Sequence, residues 1–185
     1  MPKRRRKRYR SNDSRGVLRG KRLISERPDY INNRIEFGHW EADTVMGKDK
    51  HQCILTVVER RTGLSKVAKL SNRTAYLTNA ALSRIIDSQP DIFKTITFDN
   101  GTEFHSYKTL EEKYPITCYF SNPHHPWERG SVENYNGLLR QYAPKGSSLN
   151  NLSPQKLNAI CQRLNTRSRK RLGFISPEEA SDALY

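Results

Sequence analysis

A nearly unbroken apolar run, CILTVV from Cys53 to Val58, lies between two segments rich in charged and turn-forming residues. A run of this length and β-branched composition is typical of a strand, and the near absence of polar alternation indicates that both faces of the strand are buried. The flanking turns are predicted at 47–50 and 60–63. The chain is therefore predicted to form three consecutive strands, at 37–47, 51–59 and 64–70.

Downstream of these strands the chain alternates between helical and extended patterns. Thr74 to Ser88 has apolar residues at helical spacing, and a helix there can cross over to a parallel strand at 93–98. The further predicted elements are a short helix at 106–113, a strand at 116–120, a helix that begins between 128 and 131, and helices at 154–165 and 177–184. The predicted fold class is α/β, with a mixed sheet of five strands, three antiparallel and two parallel, flanked by helices.

Three acidic residues occupy unusual places in this pattern. Asp43 lies in the middle of a predicted strand, although aspartate is a poor strand former. Asp99 ends a strand immediately before Asn100-Gly101, and 33 residues separate it from Glu133 on the polar face of a predicted helix. Taken singly, Asn100-Gly101 fits an ordinary turn and Glu133 an ordinary solvated charge. Taken together, the three acids resemble a DDE catalytic set on a ribonuclease H-like fold.

Longer motifs surround all three acids and carry a resemblance to one family. They are HWEAD at 39–43, TFDNGTEF at 97–104, PWERGSVENYNGLLRQYAPKG at 126–146, with ISERP at 24–28 and LNTRSRKRLGFISPEEA at 164–180 as the lead-in and the ending. On these motifs the chain resembles the bacterial transposases of the insertion sequence 30 type. The resemblance covers about 160 residues. It implies a ribonuclease H-like integrase catalytic core in which Asp43, Asp99 and Glu133 are catalytic.

The same resemblance implies metal-dependent cleavage and strand transfer of DNA, the chemistry of transposition and recombination by an insertion sequence. Two Mg²⁺ ions, for which Mn²⁺ can substitute, are expected at the three carboxylates, because Mg²⁺ takes hard oxygen ligands. Asp43 is expected to bridge both ions, and Asp99 and Glu133 to hold one each. Glu41, two positions before Asp43 on the same strand face, is the first candidate for an additional ligand.

The net charge of +14 is concentrated towards the two ends of the chain. Residues 1–27 carry a net +10 and residues 140–172 a net +8, which leaves the remainder at −4. A weakly acidic centre between two basic segments suits an enzyme that holds polyanionic DNA by its flanks. For the first basic run, the alternative is a solubilising tail. The side chains expected to contact DNA are Arg4, Arg5, Arg6, Arg140, Lys145, Arg167, Arg169, Lys170 and Arg171.

Two regions are predicted, a disordered basic linker or arm at 1–33 and one catalytic domain with a C-terminal basic helical extension at 34–185. In the resembled family such an arm follows helix-turn-helix domains, so the chain is expected to be a truncated copy or an excised core. The alternative function is a catalytically silent or conditional DNA-binding fragment that modulates a full-length transposase. A ribonuclease H or resolvase-type nuclease shares the predicted sheet but does not account for the motif NGLLRQY.

The expected partner is DNA, as insertion-sequence ends and target, with several copies of the chain assembled on it. Every apolar run is shorter than a membrane span, so a cytoplasmic, nucleoid-associated bacterial protein without a membrane partner is expected. Cys53, Cys118 and Cys161 are widely spaced, which indicates neither a zinc site nor a disulfide framework.

Overall fold

The computed structural model describes residues 18, 20–49, 51–122 and 125–184, the side chains of 126 and 127 excepted. The strands are β1 (Arg22–Leu23), β2 (His39–Met46), β3 (Cys53–Glu59), β4 (Ser65–Leu70), β5 (Thr95–Phe98) and β6 (Thr117–Phe120). The helices are α1 (Asp29–Asn32), α2 (Ala75–Ser88), α3 (Tyr107–Lys113), α4 (Gly130–Leu139), α5 (Pro154–Asn165) and α6 (Pro177–Asp182). Across the described ranges, no helix has both the length and the apolar character needed to span a lipid bilayer.

The strands form one mixed sheet in the order β1-β6-β5-β2-β3-β4. β2, β3 and β4 pair antiparallel, with Asp43 opposite Thr56, whereas β5 and β6 run parallel to β2. Parallel strands need a crossover, and α2 supplies it between β4 and β5 as α3 does between β5 and β6. The α/β class and the arrangement of three antiparallel and two parallel strands are confirmed.

The sheet has six strands rather than the five predicted. The additional strand is β1, which pairs in parallel with β6. Two residues are too few to leave an alternating pattern in a sequence. The residues after β1 also pack against the domain, since Ile24 and Ile31 are buried. Residues 20–33 therefore contribute to the fold, whereas residues 1–17 of the predicted arm lie outside the described residues.

β3 lies at the centre of the packing, and all seven of its residues are buried, as its apolar run predicts. On one face of the sheet, Leu55 belongs to a core with Trp40 and the apolar sides of α2 and α3. On the other face, Ile54 and Val58 pack with Val132 and other apolar residues of α4 and α5. Full burial of such side chains contributes about 1.5–3 kcal/mol each. The apolar side of α4 thus packs against the sheet, and its polar residues lie on either side of this apolar contact.

Candidate active site

Asp43 lies in the middle of β2, and 21% of its side chain is exposed. Its Oδ1 accepts a 2.8 Å hydrogen bond from the backbone N–H of Thr44, and its Oδ2 accepts a 2.9 Å hydrogen bond from Nδ2 of Asn136. Burial raises the pKa of Asp43 to about 6, while the charge of Arg129 opposes the rise and that of Asp99 adds to it. A largely buried carboxylate with a raised pKa is typical of a functional site.

Asp99 directly follows β5, the strand that lies beside β2 in the sheet. Its Oδ1 accepts a 2.8 Å hydrogen bond from the backbone N–H of Gly101. No larger residue fits at that position without a shift, because a Cβ there would lie 2.8 Å from the same Asp99 oxygen and closer still to Glu103. The next strand is parallel to β5, so Asn100 and Gly101 do not form the hairpin turn that the dipeptide alone suggests. They form a loop around the Asp99 carboxylate.

Arg129, just before α4, lies between the two aspartates. Its Nη1 is 3.6 Å from Oδ1 of Asp43, and its Nη2 is 4.0 Å from Oδ2 of Asp99. Only 11% of the side chain is exposed, and Nε and Nη1 make no hydrogen bond to any described residue. One guanidinium therefore lies close to two carboxylates without being held by hydrogen bonds on those nitrogens. This role of Arg129 was not predicted from the sequence, where its position before Gly130 in the motif PWERG is the signal that could have indicated it.

Glu133 is exposed on α4, one turn before Asn136. Residues three apart on a helix are neighbours, so the bond from Asn136 to Asp43 puts Glu133 on the side of α4 that faces the aspartates. Within the part of the chain that the structure describes, no group of three His, Cys, Asp or Glu side chains is arranged to hold a metal ion. The structure thus brings Asp43 and Asp99 to one guanidinium, while Glu133 lies on the adjacent helix.

Glu41 is completely buried and joins the sheet to the start of α4. Its Oε1 forms an ion pair with the buried Arg60, and its Oε2 accepts hydrogen bonds of 2.9 and 3.0 Å from the backbone N–H groups of Ser131 and Val132. The first N–H groups of a helix have no partner within the helix, so this carboxylate satisfies two of them. Glu41 was only a candidate for an additional metal ligand, and the structure argues against it, because both of its oxygens are occupied by protein groups.

A second buried acid, Glu103, supports the strand that carries Asp43. It accepts hydrogen bonds from Oγ1 of Thr44 at 2.7 Å and from Nε and Nη2 of Arg73 at 2.7 and 2.8 Å. Burial alone raises the pKa of Glu103, but the bonds from Arg73 and Thr44 outweigh it, so the pKa is lowered overall. Glu103 is therefore charged, and both of its carboxylate oxygens accept hydrogen bonds from protein groups beside the site.

The candidate DNA-binding residues are divided between anchored and exposed side chains. Arg140 ends α4 and is half-buried, and it donates from Nη2 to the carbonyl of Met46 at 3.1 Å and from Nη1 to the carbonyl of Ala143 at 3.3 Å. Arg4, Arg5 and Arg6 lie outside the described residues. The remaining candidates, of which all but the half-buried Arg169 are exposed, are Lys145, Arg167, Arg169, Lys170 and Arg171.

Similar proteins are found for most of the chain. A sequence model of the integrase core domain matches residues 33–126. The transposase for insertion sequence element IS4351 from Bacteroides fragilis is 38% identical over 173 residues, which are 94% of this chain and 53% of that protein. The transposase InsI for insertion sequence element IS30A from Escherichia coli (strain K12) is 36% identical over 157 residues, which are 84% of this chain and 41% of that protein. The predicted resemblance is confirmed, and the chain spans about half the length of these relatives.

Among solved structures, the catalytic core domain of BIV integrase is similar to this chain, with a TM-score of 0.62 and 21% sequence identity. The match covers 80% of this chain and 98% of that one. This similarity shows the fold, and it confirms the predicted ribonuclease H-like architecture of an integrase catalytic core.

Proposed function

Because this chain belongs to the integrase core domain family, we propose that it is the catalytic core of an insertion-sequence transposase, which cleaves DNA strands and joins their 3′ ends to new DNA. One observation carries the proposal. Asp43 and Asp99 come from neighbouring strands and lie within 3.6 and 4.0 Å of the same guanidinium. Two carboxylates directed at one cation are the arrangement that metal-assisted phosphodiester chemistry needs.

The chemistry of these side chains fits a divalent metal site, although in the described residues the three carboxylates are not grouped around one position. Asp43 and Asp99 offer hard oxygen ligands and already share a cation, and Glu133 on the adjacent helix supplies a third carboxylate. These three residues would hold Mg²⁺, or Mn²⁺ in its place, and two ions are proposed. When bound, the ions supply charge stabilisation for the attacking and the leaving oxygen of the phosphodiester.

The other residues of the site orient the ligands. The N–H of Thr44 and the amide of Asn136 each donate a hydrogen bond to one oxygen of Asp43, which fixes the plane of that carboxylate. The backbone N–H of Gly101 likewise donates a hydrogen bond to one oxygen of Asp99 and so orients that carboxylate. Such fixed orientation is what allows a small set of carboxylates to act without reorganisation during the reaction. The basic side chains of 140–172 are proposed to bind the DNA backbone.

The test is incubation of the protein with supercoiled plasmid and Mg²⁺ or Mn²⁺. The wild-type chain is expected to nick the plasmid, and Asp99→Asn to reduce nicking by about a hundredfold or more because a metal ligand is lost. DNA binding in EDTA should be unchanged or tighter in that variant, since a negative charge is removed. Asp91→Asn, at an exposed acid, is the matched control. Nicking by Asp99→Asn at the wild-type rate would contradict the assignment.

The same assay separates the proposal from the alternative of a silent DNA-binding fragment. Binding without nicking by the wild-type chain, under every metal condition, would favour that alternative. Assembly of several copies on DNA is also proposed, and sedimentation of the chain with and without a DNA duplex tests it.

A further inference from the structure

A cavity of about 410 Å³ lies on the other flank of α4 from the aspartates. Besides α4, the segments that line it include the residue Arg34 before β2, the turn between β3 and β4, and the basic run after α5. Its cationic lining residues are Arg34, Arg169, Lys170 and Arg171. No acidic residue is among the described residues that line it. Four positive charges thus surround one cavity without a counter-charge in its wall.

The cavity and the aspartates lie beside two different stripes of residues on α4. Of the five α4 residues that line the cavity, Ser131, Asn134 and Leu138 form one stripe, and Gly130 and Tyr135 flank it. On the other stripe, Asn136 contacts Asp43 and Glu133 lies one turn before Asn136. The two stripes are offset by two positions, which is about 160° around a helix with 3.6 residues per turn. An anion in the cavity is therefore distinct from the scissile phosphate at the aspartates.

The arginines are held at the cavity by backbone carbonyls, each of which engages one guanidinium nitrogen. Nη1 of Arg34 donates to the carbonyl of Arg60 at 2.8 Å, and Nη1 of Arg171 donates to that of Arg61 at 2.7 Å. A guanidinium carries five N–H donors, so several remain for a ligand. Space for Arg171 depends on Gly63, where a Cβ would lie 3.2 Å from Nη2 of that arginine.

Three further observations indicate that the cluster is kept for a ligand rather than for stability. Arg34 has a φ of 56°, a left-handed conformation that is strained for a residue other than glycine. Partial burial lowers the pKa of Arg171, and the nearby charge of Arg34 lowers it further, while the charge of Glu59 opposes the shift in part. In addition, the buried Oγ of Ser131 in the cavity wall makes no hydrogen bond to a described residue. Positive charges held together against strain and mutual repulsion fit an anionic ligand.

We propose that this cavity binds a backbone phosphate of DNA, away from the phosphate that is cut, through Arg34, Arg169, Lys170 and Arg171 with Ser131 as a neutral donor. The assignment rests on the proposed function, since it takes DNA as the substrate. It extends that function by giving the DNA a second point of attachment across α4. Phosphates bound by fixed cations set the register of a strand on a protein without reading its sequence.

The test is the salt dependence of DNA affinity, measured by fluorescence anisotropy with a short duplex in EDTA. The variant Arg34→Asn/Arg171→Gln removes two cavity charges, and Asn tolerates the left-handed backbone at position 34. The matched control, Arg84→Gln/Lys108→Gln, removes two charges from exposed positions on α2 and α3. The slope of log affinity against log salt should fall by about one unit in the cavity variant, as expected for one lost phosphate contact. The control should keep the wild-type slope.

A charge-preserving variant, Arg34→Lys/Arg171→Lys, separates binding from folding. It should restore the slope, because lysine still binds phosphate as a point charge. A cavity variant with the same slope as the control would overturn the proposal, and so would a reduced slope that the lysine variant does not restore. Inorganic phosphate at constant ionic strength is the second probe. If it raises the wild-type melting temperature while the DNA slopes stay equal, the cavity takes a free anion and not DNA.

Failure of this proposal is distinguishable from failure of the proposed function. The slopes are measured without metal, whereas nicking requires it. If the cavity variant and the control have equal slopes while nicking is normal, only the proposal about the cavity is overturned. Absence of nicking together with absence of DNA binding overturns both.

Discussion

Nδ2 of Asn136 donates a 2.9 Å hydrogen bond to Oδ2 of Asp43, which ties the middle of α4 to the middle of β2. The orientation of the amide is set from its other side, because Oδ1 of Asn136 accepts a 2.9 Å hydrogen bond from Oγ1 of Thr56. Thr56 is the register partner of Asp43 on β3. The helix that carries Glu133 is therefore aligned with the first aspartate by a defined polar contact, in addition to its apolar packing.

Asn136→Ala tests the importance of this alignment. Loss of two hydrogen bonds should lower the free energy of unfolding by about 1–3 kcal/mol, and strand cleavage should fall about tenfold because Asp43 and Glu133 are no longer held together. The measurements are urea unfolding and single-turnover cleavage of a DNA end. Gln141→Ala, at an exposed residue just after the same helix, is the control. Cleavage at the wild-type rate would show that the contact is structural only.

Arg129 occupies the space between two proposed metal ligands, and it should compete with the metal. Its charge lies within 4.0 Å of both aspartates, so a divalent cation can approach only if the guanidinium moves or is repelled. Arg129→Gln is therefore expected to bind Mn²⁺ about tenfold more tightly than the wild-type chain, as measured by calorimetry without DNA. Arg84→Gln removes the same charge at an exposed site on α2. Equal or weaker Mn²⁺ binding by Arg129→Gln would contradict this expectation.

The pKa of Asp43 predicts how the metal-free protein responds to pH. The pKa is about 6 in the folded state against an ordinary 3.8, so the native protein holds this proton more tightly than the unfolded chain. The associated stability is fully present below pH 3.8 and is lost as the pH rises through 6. At pH 8 the ionised carboxylate then disfavours folding by about 3 kcal/mol.

Asp43→Asn removes this titration. In EDTA the variant should be more stable than the wild-type chain at pH 8, and the difference should shrink as the pH falls through 6 towards 4. Urea unfolding at several pH values measures it, with Asp91→Asn as the exposed control. If the difference in the free energy of unfolding between the variant and the wild-type chain does not change with pH, burial of Asp43 does not raise its pKa in the folded protein.

Glu41→Gln should weaken the junction between β2 and α4. The substitution removes the ion-pair partner of the buried Arg60, and breaking a buried ion pair is strongly destabilising. We expect a loss of about 2–4 kcal/mol in urea unfolding, since glutamine keeps part of the hydrogen bonding. Glu112→Gln, at an exposed acid on α3, provides the comparison. A loss no larger than that of the control would show that the pair contributes no net stability.

The elements of this fold were predictable because their signals are local. The helical spacing in 74–88 and the capping serine before Pro154 predicted α2 and α5 closely, and α5 has the predicted bounds. Asp43 and Asp99 could be selected from the sequence as candidates, since a carboxylate inside or just after a buried strand is unusual for its position, and their catalytic role stays a prediction. Each of these inferences depends on neighbours within one or two turns of the chain.

The roles of Arg129 and Glu41 depend on contacts between distant segments, and the sequence could not supply them. Strand alternation correctly put Glu41 on the same face as Asp43, but it could not show that the first turn of α4 covers that position. Arg129 acts through residues 30 or more positions away. A single arginine at the start of a helix has no periodicity that reveals such partners.

Arg140 provides the last prediction, and its contacts modify what the sequence suggests. It follows Glu133 by seven residues, about 10 Å along the axis of α4, and in sequence terms it is a surface residue whose loss should hardly affect stability. In the structure it donates to the carbonyls of Met46 and Ala143, which links the end of α4 to the end of β2. Arg140→Ala should therefore lower the free energy of unfolding by about 1–2 kcal/mol.

The same variant should lower cleavage and joining about tenfold or more if the free N–H groups of Arg140 also hold a DNA phosphate next to the scissile one. Arg140→Lys separates the two roles, because lysine keeps the charge but cannot reproduce the two-pronged contact with the carbonyls. It should recover part of the activity while remaining as unstable as Arg140→Ala. Single-turnover cleavage of short DNA ends, well below the melting temperature of every variant, is the measurement. If activity follows stability across both variants, Arg140 acts only as a link between α4 and β2.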